Sequence, residues 1–207
     1  MRETVAVSGA RLRHALRSDL PAISELWVDA FAADPYLRWI QPDDRLWPAF
    51  GGAWMTFIAE LVFERGHTYL CDPGDVAVAW VPPDVALVGP DDVARGRSII
   101  AEHAGEARAD DAVATIMAAR ANALEEPHWT LQYLGVRVSR QGTGLGVAAV
   151  APILRVCDTE GLPCGLVSTN PRNLSFYERL GFRVDAEVAT PDGAAIMRPM
   201  HRTAVSG

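Results

Sequence analysis

Leu134-Gly135-Val136-Arg137-Val138-Ser139-Arg140-Gln141-Gly142-Thr143-Gly144-Leu145-Gly146 is the stretch on which the reading of this chain turns. Its first half alternates as a strand and its end opens a long helical pattern, so a glycine-rich turn joins the two. Glycines at positions 142, 144 and 146 permit positive φ and let backbone N–H groups approach a ligand closely. The helix that follows supplies unpaired amide donors and a favourable dipole, which suit an anion such as a pyrophosphate. The same composition also suits a flexible turn that holds nothing. The spacing is neither Gly-x-Gly-x-x-Gly nor a loop ending in Gly-Lys-Ser/Thr, so dinucleotide and P-loop readings lose support.

Outward from that turn, the strand signal covers 129–138 and the helix runs to about 160. A strand at 164–168, a helix at 173–180 closed by Gly181, and strands at 182–188 and 194–200 follow, with a hairpin turn at Thr190-Pro191-Asp192-Gly193. Upstream, a first strand covers 10–15 and Ser18-Asp19 before Pro21 starts a helix to about 31. Ala33-Asp34-Pro35-Tyr36 breaks it. An apolar stripe from Trp47 predicts a second helix ending near Gly66, weakened in its first half by Gly51-Gly52. Two strand-like runs, 67–71 and 76–81, flank Asp72-Pro73-Gly74-Asp75 as a hairpin. Residues 82–126 begin with Pro82-Pro83 and carry helical spacing at 93–103 and 111–124, joined around Gly105. They read as an inserted helical pair rather than a separate domain, being too few for an independent core. The expected fold is α/β: one domain over 1–207 with a central mixed sheet of about six or seven strands flanked by helices.

Composition sets the outer bounds. With 49% hydrophobic and 22% charged residues over 207 positions, the chain is of the ordinary globular kind. A formal net charge of −7 argues against a nucleic-acid partner and makes a cationic substrate more natural. Cys71, Cys157 and Cys164 are odd in number, lack C-x-x-C spacing and fit reduced thiols in a cytoplasm. No signal-peptide run opens the sequence and no stretch is long and apolar enough to span a bilayer, so no membrane role is expected.

Gln141-x-x-Gly144-x-Gly146, preceded by its strand, resembles the acyl-CoA signature of the GNAT acetyltransferases. Asn170 through Phe182, in which an asparagine stands seven residues before Tyr177 and Gly181-Phe182 closes the helix, is similar to that family's second signature. The run from Glu126-Pro127-His128-Trp129 to Phe182, with Ala30-Phe31, Asp34-Pro35 and the helical insertion, is similar to puromycin N-acetyltransferase-like members. The resemblance implies the GNAT fold and direct transfer of an acetyl group from acetyl-CoA to an amine, without an acyl-enzyme and without a metal.

The resemblance also implies roles for residues. Main-chain groups of Leu134, Val136 and Val138 pair with the pantetheine arm; Gln141, Gly142, Thr143, Gly144, Leu145 and Gly146 cradle the pyrophosphate; Asn170 and Asn173 bind cofactor or order the loop; and Tyr177 is the general acid. For the base, Glu126 and His128 stand just before the central strand, with Glu125 and Asp34 as further candidates. Each is also an ordinary surface residue on composition alone. Tyr36, Trp39, Trp80 and Trp129 either line an acceptor pocket or belong to the core. The expected acceptor is a small primary amine and the expected state a monomer or homodimer. A protein or peptide acetyltransferase and a non-catalytic acyl-CoA sensor remain as alternatives.

Overall fold

The structure is a computed structural model that describes residues 5–7 and 10–205. Residues 1–4, 8–9 and 206–207 of the expected domain lie outside the described residues. The strands are β1 (Val5–Val7), β2 (Ala10–His14), β3 (His67–Asp72), β4 (Val76–Val81), β5 (Trp129–Val136), β6 (Cys164–Ser168), β7 (Arg183–Val184), β8 (Val188–Ala189) and β9 (Ile196–Arg202). They lie in the order β1-β2-β3-β4-β5-β6-β9-β7, with β8 joined to β9. Only the β5–β6 pairing among them is parallel, so the sheet is mixed as expected.

The helices are α1 (Leu20–Ala30), α2 (Pro35–Ile40), α3 (Trp47–Arg65), α4 (Pro90–Ala104), α5 (Glu106–Arg120), α6 (Leu145–Glu160) and α7 (Leu174–Arg179). No helix among the described residues is long and apolar enough to cross a membrane.

β4 shows how the core divides. All six of its residues are buried. Ala77, Ala79 and Val81 pack with α1, α3 and the insertion, whereas Val76, Val78 and Trp80 pack with α6 on the other face. A strand covered on both faces needs this continuous apolar run.

Several boundaries differ from the sequence reading. Asp34-Pro35 ends one helical run and starts another: Pro35 occupies the first turn of α2, and the Asp34 carboxylate caps it by accepting from Tyr36 N and Leu37 N, each at 3.0 Å. The strand expected to reach Val138 stops at Val136, because residues 138–140 tighten into a 3-10 turn. The strand expected over 182–188 is two short ones, β7 and β8, and β1 adds an edge strand. Gly51-Gly52 does not weaken α3 visibly, since Trp47 lays its indole against Gly51.

Residues 82–126 do form a helical pair. α4 and α5 are joined through Gly105 at φ 88°. Tyr36 Oη donates to Ala112 O at 2.8 Å and Gln41 Nε2 to His103 O at 2.7 Å, fastening both helices to α2.

Candidate active site

β5 and β6 run side by side only from Trp129↔Cys164 to Leu131↔Leu166. Beyond that point β5 follows β4 to Val136 and β6 follows β9 to Ser168, so a wedge opens between two parallel strands. Arg137 N donates to Asp75 O at 2.8 Å, which fixes the backbone there toward β4. Alternation along an antiparallel pair then turns the peptide groups of Leu134 and Val136 into the wedge. Gln141 Nε2 donating to Val136 O at 3.2 Å agrees with that direction. An extended ligand entering the wedge would find a free strand edge. Val138 is placed differently: its N–H donates to the Asp29 carboxylate at 3.3 Å, outside the strand.

The wedge leads to the start of α6. Gly142 and Gly144 hold φ of 75° and 88°, values that disfavour any side chain. Ala148 N donates to Gly144 O, leaving the amides of Leu145, Gly146 and Val147 ahead of the helical ladder. No side chain caps this end. A Cβ at 142 or 144 would meet nothing within 4 Å, so the space before these amides is open. Exposed donors, open space and the dipole of a helix from Leu145 to Glu160 make a cradle that fits a diphosphate. Thr143 Oγ1 is turned back to Arg140 O at 2.7 Å, so its own amide rather than its hydroxyl is on offer.

α7 closes the other side of the wedge. Asn170 Oδ1 accepts from Arg172 N at 3.0 Å and orders the turn into α7. Asn173 is exposed, with no side-chain cap to α7. Tyr177 packs edge-on against Phe176 and Phe182 at 5.1 and 6.0 Å. Its hydroxyl has no hydrogen-bond partner among the described residues, and burial with the Asp34 charge pushes its pKa up to about 12. Tyr177 therefore holds its proton throughout the neutral range.

On the α1 face of the sheet lies a cavity of about 380 Å³, walled by α3, the insertion and β5. The insertion supplies much of its roof, including Leu87, Val93, Ile100 and Ile116. Trp54, Phe57 and Phe31 add aromatic walls. Of the aromatic residues nominated for such a pocket, Tyr36 lines it. Trp80 and Trp129 sit in the core on the α6 face, the outcome of strand alternation, and Trp39 stacks on Tyr36 while donating to Asp192 at 2.9 Å.

The base candidates separate as well. His128 lines the cavity, and its Nδ1 lies 2.7 Å from Glu126 O. Glu125 and Glu126 are exposed on the loop before β5. Asp34 lines the cavity at 5% exposure, the one acidic residue buried among those described. Thr169 Oγ1 donates to Asp34 Oδ2 at 2.5 Å. Burial raises the Asp34 pKa, opposed by the donors from Thr169, Leu37 and Tyr36. Thr169 and Tyr133 went unsignalled in the sequence. Among the described residues no group of three metal-ligating side chains is assembled.

A mixed sheet that parts beside a glycine-turn helix start offers a free strand edge and an anion cradle in one groove. The chain matches the acetyltransferase (GNAT) family over residues 45–182 and belongs to it. A curated relative, an uncharacterised N-acetyltransferase of Schizosaccharomyces pombe, is 40% identical over 58 residues, covering 28% of this chain and 24% of its own length. The alignment therefore spans about a quarter of that relative. Among solved structures, a Corynebacterium glutamicum protein described as histone acetyltransferase HPA2 and related acetyltransferase aligns at TM-score 0.64 and 24% identity, over 95% of this chain and 97% of its own. Arylalkylamine N-acetyltransferase 2 from Aedes aegypti aligns at TM-score 0.64 and 10% identity, over 95% and 99%. The ribosomal-protein-S18-alanine N-acetyltransferase of Escherichia coli aligns at TM-score 0.55 and 16% identity, over 96% of each chain. These likenesses concern the fold.

Proposed function

We propose that the protein transfers the acetyl group of acetyl-CoA to the primary amine of a small molecule by direct attack. The observation that carries this reading is the junction of the β5–β6 wedge, which ends at the open amides of α6, with a cavity roofed by residues 82–126. The insertion favours a compact amine over an extended peptide, and supports kinship with puromycin N-acetyltransferase-like enzymes. Cavities of this size, apolar with a few polar groups, suit small ligands.

In this reading Leu134 and Val136 hold the pantetheine arm along the free edge of β5, while the amides of Gln141, Gly142, Thr143, Gly144, Leu145 and Gly146 receive the diphosphate. Val138 joins them only if its amide exchanges Asp29 for ligand. Asn170 orders the α7 turn, and Asn173 offers an exposed amide to the coenzyme. Tyr177, protonated at neutral pH, gives its proton to the departing thiolate. His128, which lines the cavity, and Glu126, on the exposed loop just before β5, are candidates to take protons from the amine. We further propose a single domain, monomeric or homodimeric, acting in the cytoplasm, with no metal and no nucleic-acid or membrane partner.

Two other readings keep a place. A protein or peptide acetyltransferase would need the insertion to swing aside, and an acyl-CoA sensor would use the cradle without Tyr177. The deciding experiment incubates acetyl-CoA with a panel of aromatic amines, amine antibiotics, polyamines and N-terminal peptides while following free thiol. Thiol release with small amines alone supports the proposal. Release with peptides alone, or acetyl-CoA binding with no release, would overturn it.

A further inference from the structure

Asp34 lacks the partner that a buried carboxylate ordinarily has. Its Oδ1 takes the two amide protons of the α2 cap and its Oδ2 takes the Thr169 hydroxyl, all from neutral donors. No ion pair to Asp34 exists among the described residues, although a buried charge normally sits beside an opposite one. The other carboxylate lining the cavity, Asp92, is neutralised by Arg65. Arg97, which also lines the cavity, is paired with Glu106 and Asp110, and neither it nor Arg120 forms an ion pair with Asp34.

Its position is equally specific. Asp34 and Thr169 both line the cavity, and Thr169 directly follows β6 where that strand borders the wedge. The charge of Asp34 is felt by Tyr133 on β5 and by Tyr177 on α7, the side chain facing the coenzyme in the proposed reading. The remaining walls around it are largely apolar and aromatic.

We propose that Asp34 is the ammonium-binding group of the acceptor site and takes the first proton from the bound amine, so that the acceptor class is a cationic primary amine on an apolar or aromatic body. This rests on the acetyl-transfer reading. The ammonium gives one proton to the Asp34 carboxylate, and the freed lone pair forms a C–N bond at the thioester carbonyl. The C–S bond breaks, and sulfur leaves with its electron pair and takes the Tyr177 proton. The nitrogen's second proton resets Tyr177, and Asp34 releases its own to solvent. One ammonium and one thioester thus become one amide, one thiol and one proton. Burial that lifts the carboxylate above the usual range makes it a better acceptor for that proton.

Asp34→Asn is the informative substitution, because asparagine caps a helix about as well as aspartate but carries no charge. The groups that face Asp34 or share its cavity are Tyr36 on α2, Tyr133 on β5, Tyr177 on α7, Arg97 and Asp92 on α4, Arg120 on α5 and His128 at the start of β5. With 2-phenylethylamine and its neutral isostere 2-phenylethanol as probes, the wild type should bind the amine at least about 10-fold more tightly, and Asp34→Asn should erase that preference. Its kcat/KM for the amine should fall at least about 100-fold while acetyl-CoA affinity holds. Thr169→Val, which removes a donor that lowers the Asp34 pKa, should move the acidic limb of the kcat/KM profile to higher pH.

A wild type indifferent to the amine's charge, an Asp34→Asn variant with wild-type turnover, or an unmoved limb in Thr169→Val would each overturn the assignment. Should Asp34→Asn fail to fold, the probe preference of the wild type and the Thr169→Val limb still decide it. If acetyl-CoA itself gives no binding heat with the wild type, it is the acetyl-transfer reading that fails. If another amine is acetylated equally by wild type and Asp34→Asn, only the Asp34 assignment does.

Discussion

Gly135→Ala tests how tightly α1 is seated on the strand that forms the wedge. A Cβ at residue 135 would stand 2.4 Å from Trp27 Cδ1, 3.0 Å from its Nε1 and 3.3 Å from Ala30 Cβ. Carbon atoms prefer about 3.5–4.0 Å, so the overlap exceeds about 1 Å. Trp27 is fully buried, stands 5.1 Å from the Tyr133 ring and donates Nε1 to Ala77 O at 3.3 Å. The indole therefore has nowhere to swing, and relief requires α1 to lift. Overpacking costs about 1–3 kcal/mol and a lost indole hydrogen bond about 1 kcal/mol. Relief of the conformational penalty of a strand glycine offsets about 0.5–1 kcal/mol. The net, about 1–3 kcal/mol, should lower Tm by about 3–10 °C for a domain of this size. Differential scanning calorimetry reads it, and a double-mutant cycle with Trp27→Leu isolates the cause, because Gly135→Ala should be nearly neutral once the indole is gone. A Tm within about 1 °C of wild type, or strictly additive effects in the cycle, would show that the contact is not what holds α1.

Gly144→Val forces a branched side chain to φ 88° with open space around it, so the unfolding free energy should fall only by the strain, about 1–2 kcal/mol, while acetyl-CoA affinity measured by calorimetry drops at least about 10-fold. Unchanged affinity removes the phosphate cradle. Tyr177→Phe should lose about 100-fold or more in kcat with acetyl-CoA binding and Tm nearly unchanged, because the hydroxyl supports no other group in the described chain; normal turnover removes it as the acid. Asp192 is held down to about 2 by the Trp39 indole, then by Ala194 N and Thr190 Oγ1. Since its folded pKa lies below the unfolded value of about 3.9, its contribution is present above that pH and is lost as pH falls toward about 2. Asp192→Asn should flatten this part of the acid denaturation curve, and an unaltered curve would refute the coupling.

The glycine turn and the helix after it were legible because their signals are local: alternate glycines, a strand before and a helical stripe after all lie within residues 129–160. The order of strands and helices and the helical insertion were readable for the same reason. α2 was hidden because Asp-Pro marks an end and a start alike, and the choice depends on what Tyr36 and Leu37 pack against. Asp34 was one candidate among several for a reason of distance: its hydroxyl partner lies 135 residues away, and its burial depends on both halves of the chain. Trp80 illustrates another limit. Periodicity says that Ala79 and Trp80 face opposite ways, but not which way the cavity lies.

The cause of the wedge can be traced to one irregularity in β5. Its partner register on β4 shifts between Ala79 and Trp80, leaving Tyr133 opposite Ala79 and Leu131 opposite Trp80, with Gln132 extra. Side-chain faces record the same bulge. Trp129 and Leu131 pack on the α6 side, as do Leu134 and Val136, whereas Tyr133 packs with Trp27 and Phe31 on the α1 side. In an unbroken strand Tyr133 would share the face of Leu131. The bulge thus delivers Tyr133 to the Asp34 side of the sheet. A bulge also adds twist, and the last β5–β6 pair, Leu131↔Leu166, is the residue just before it. One inserted residue therefore accounts both for the parting of the two strands and for the polar group that overlooks the point where they part.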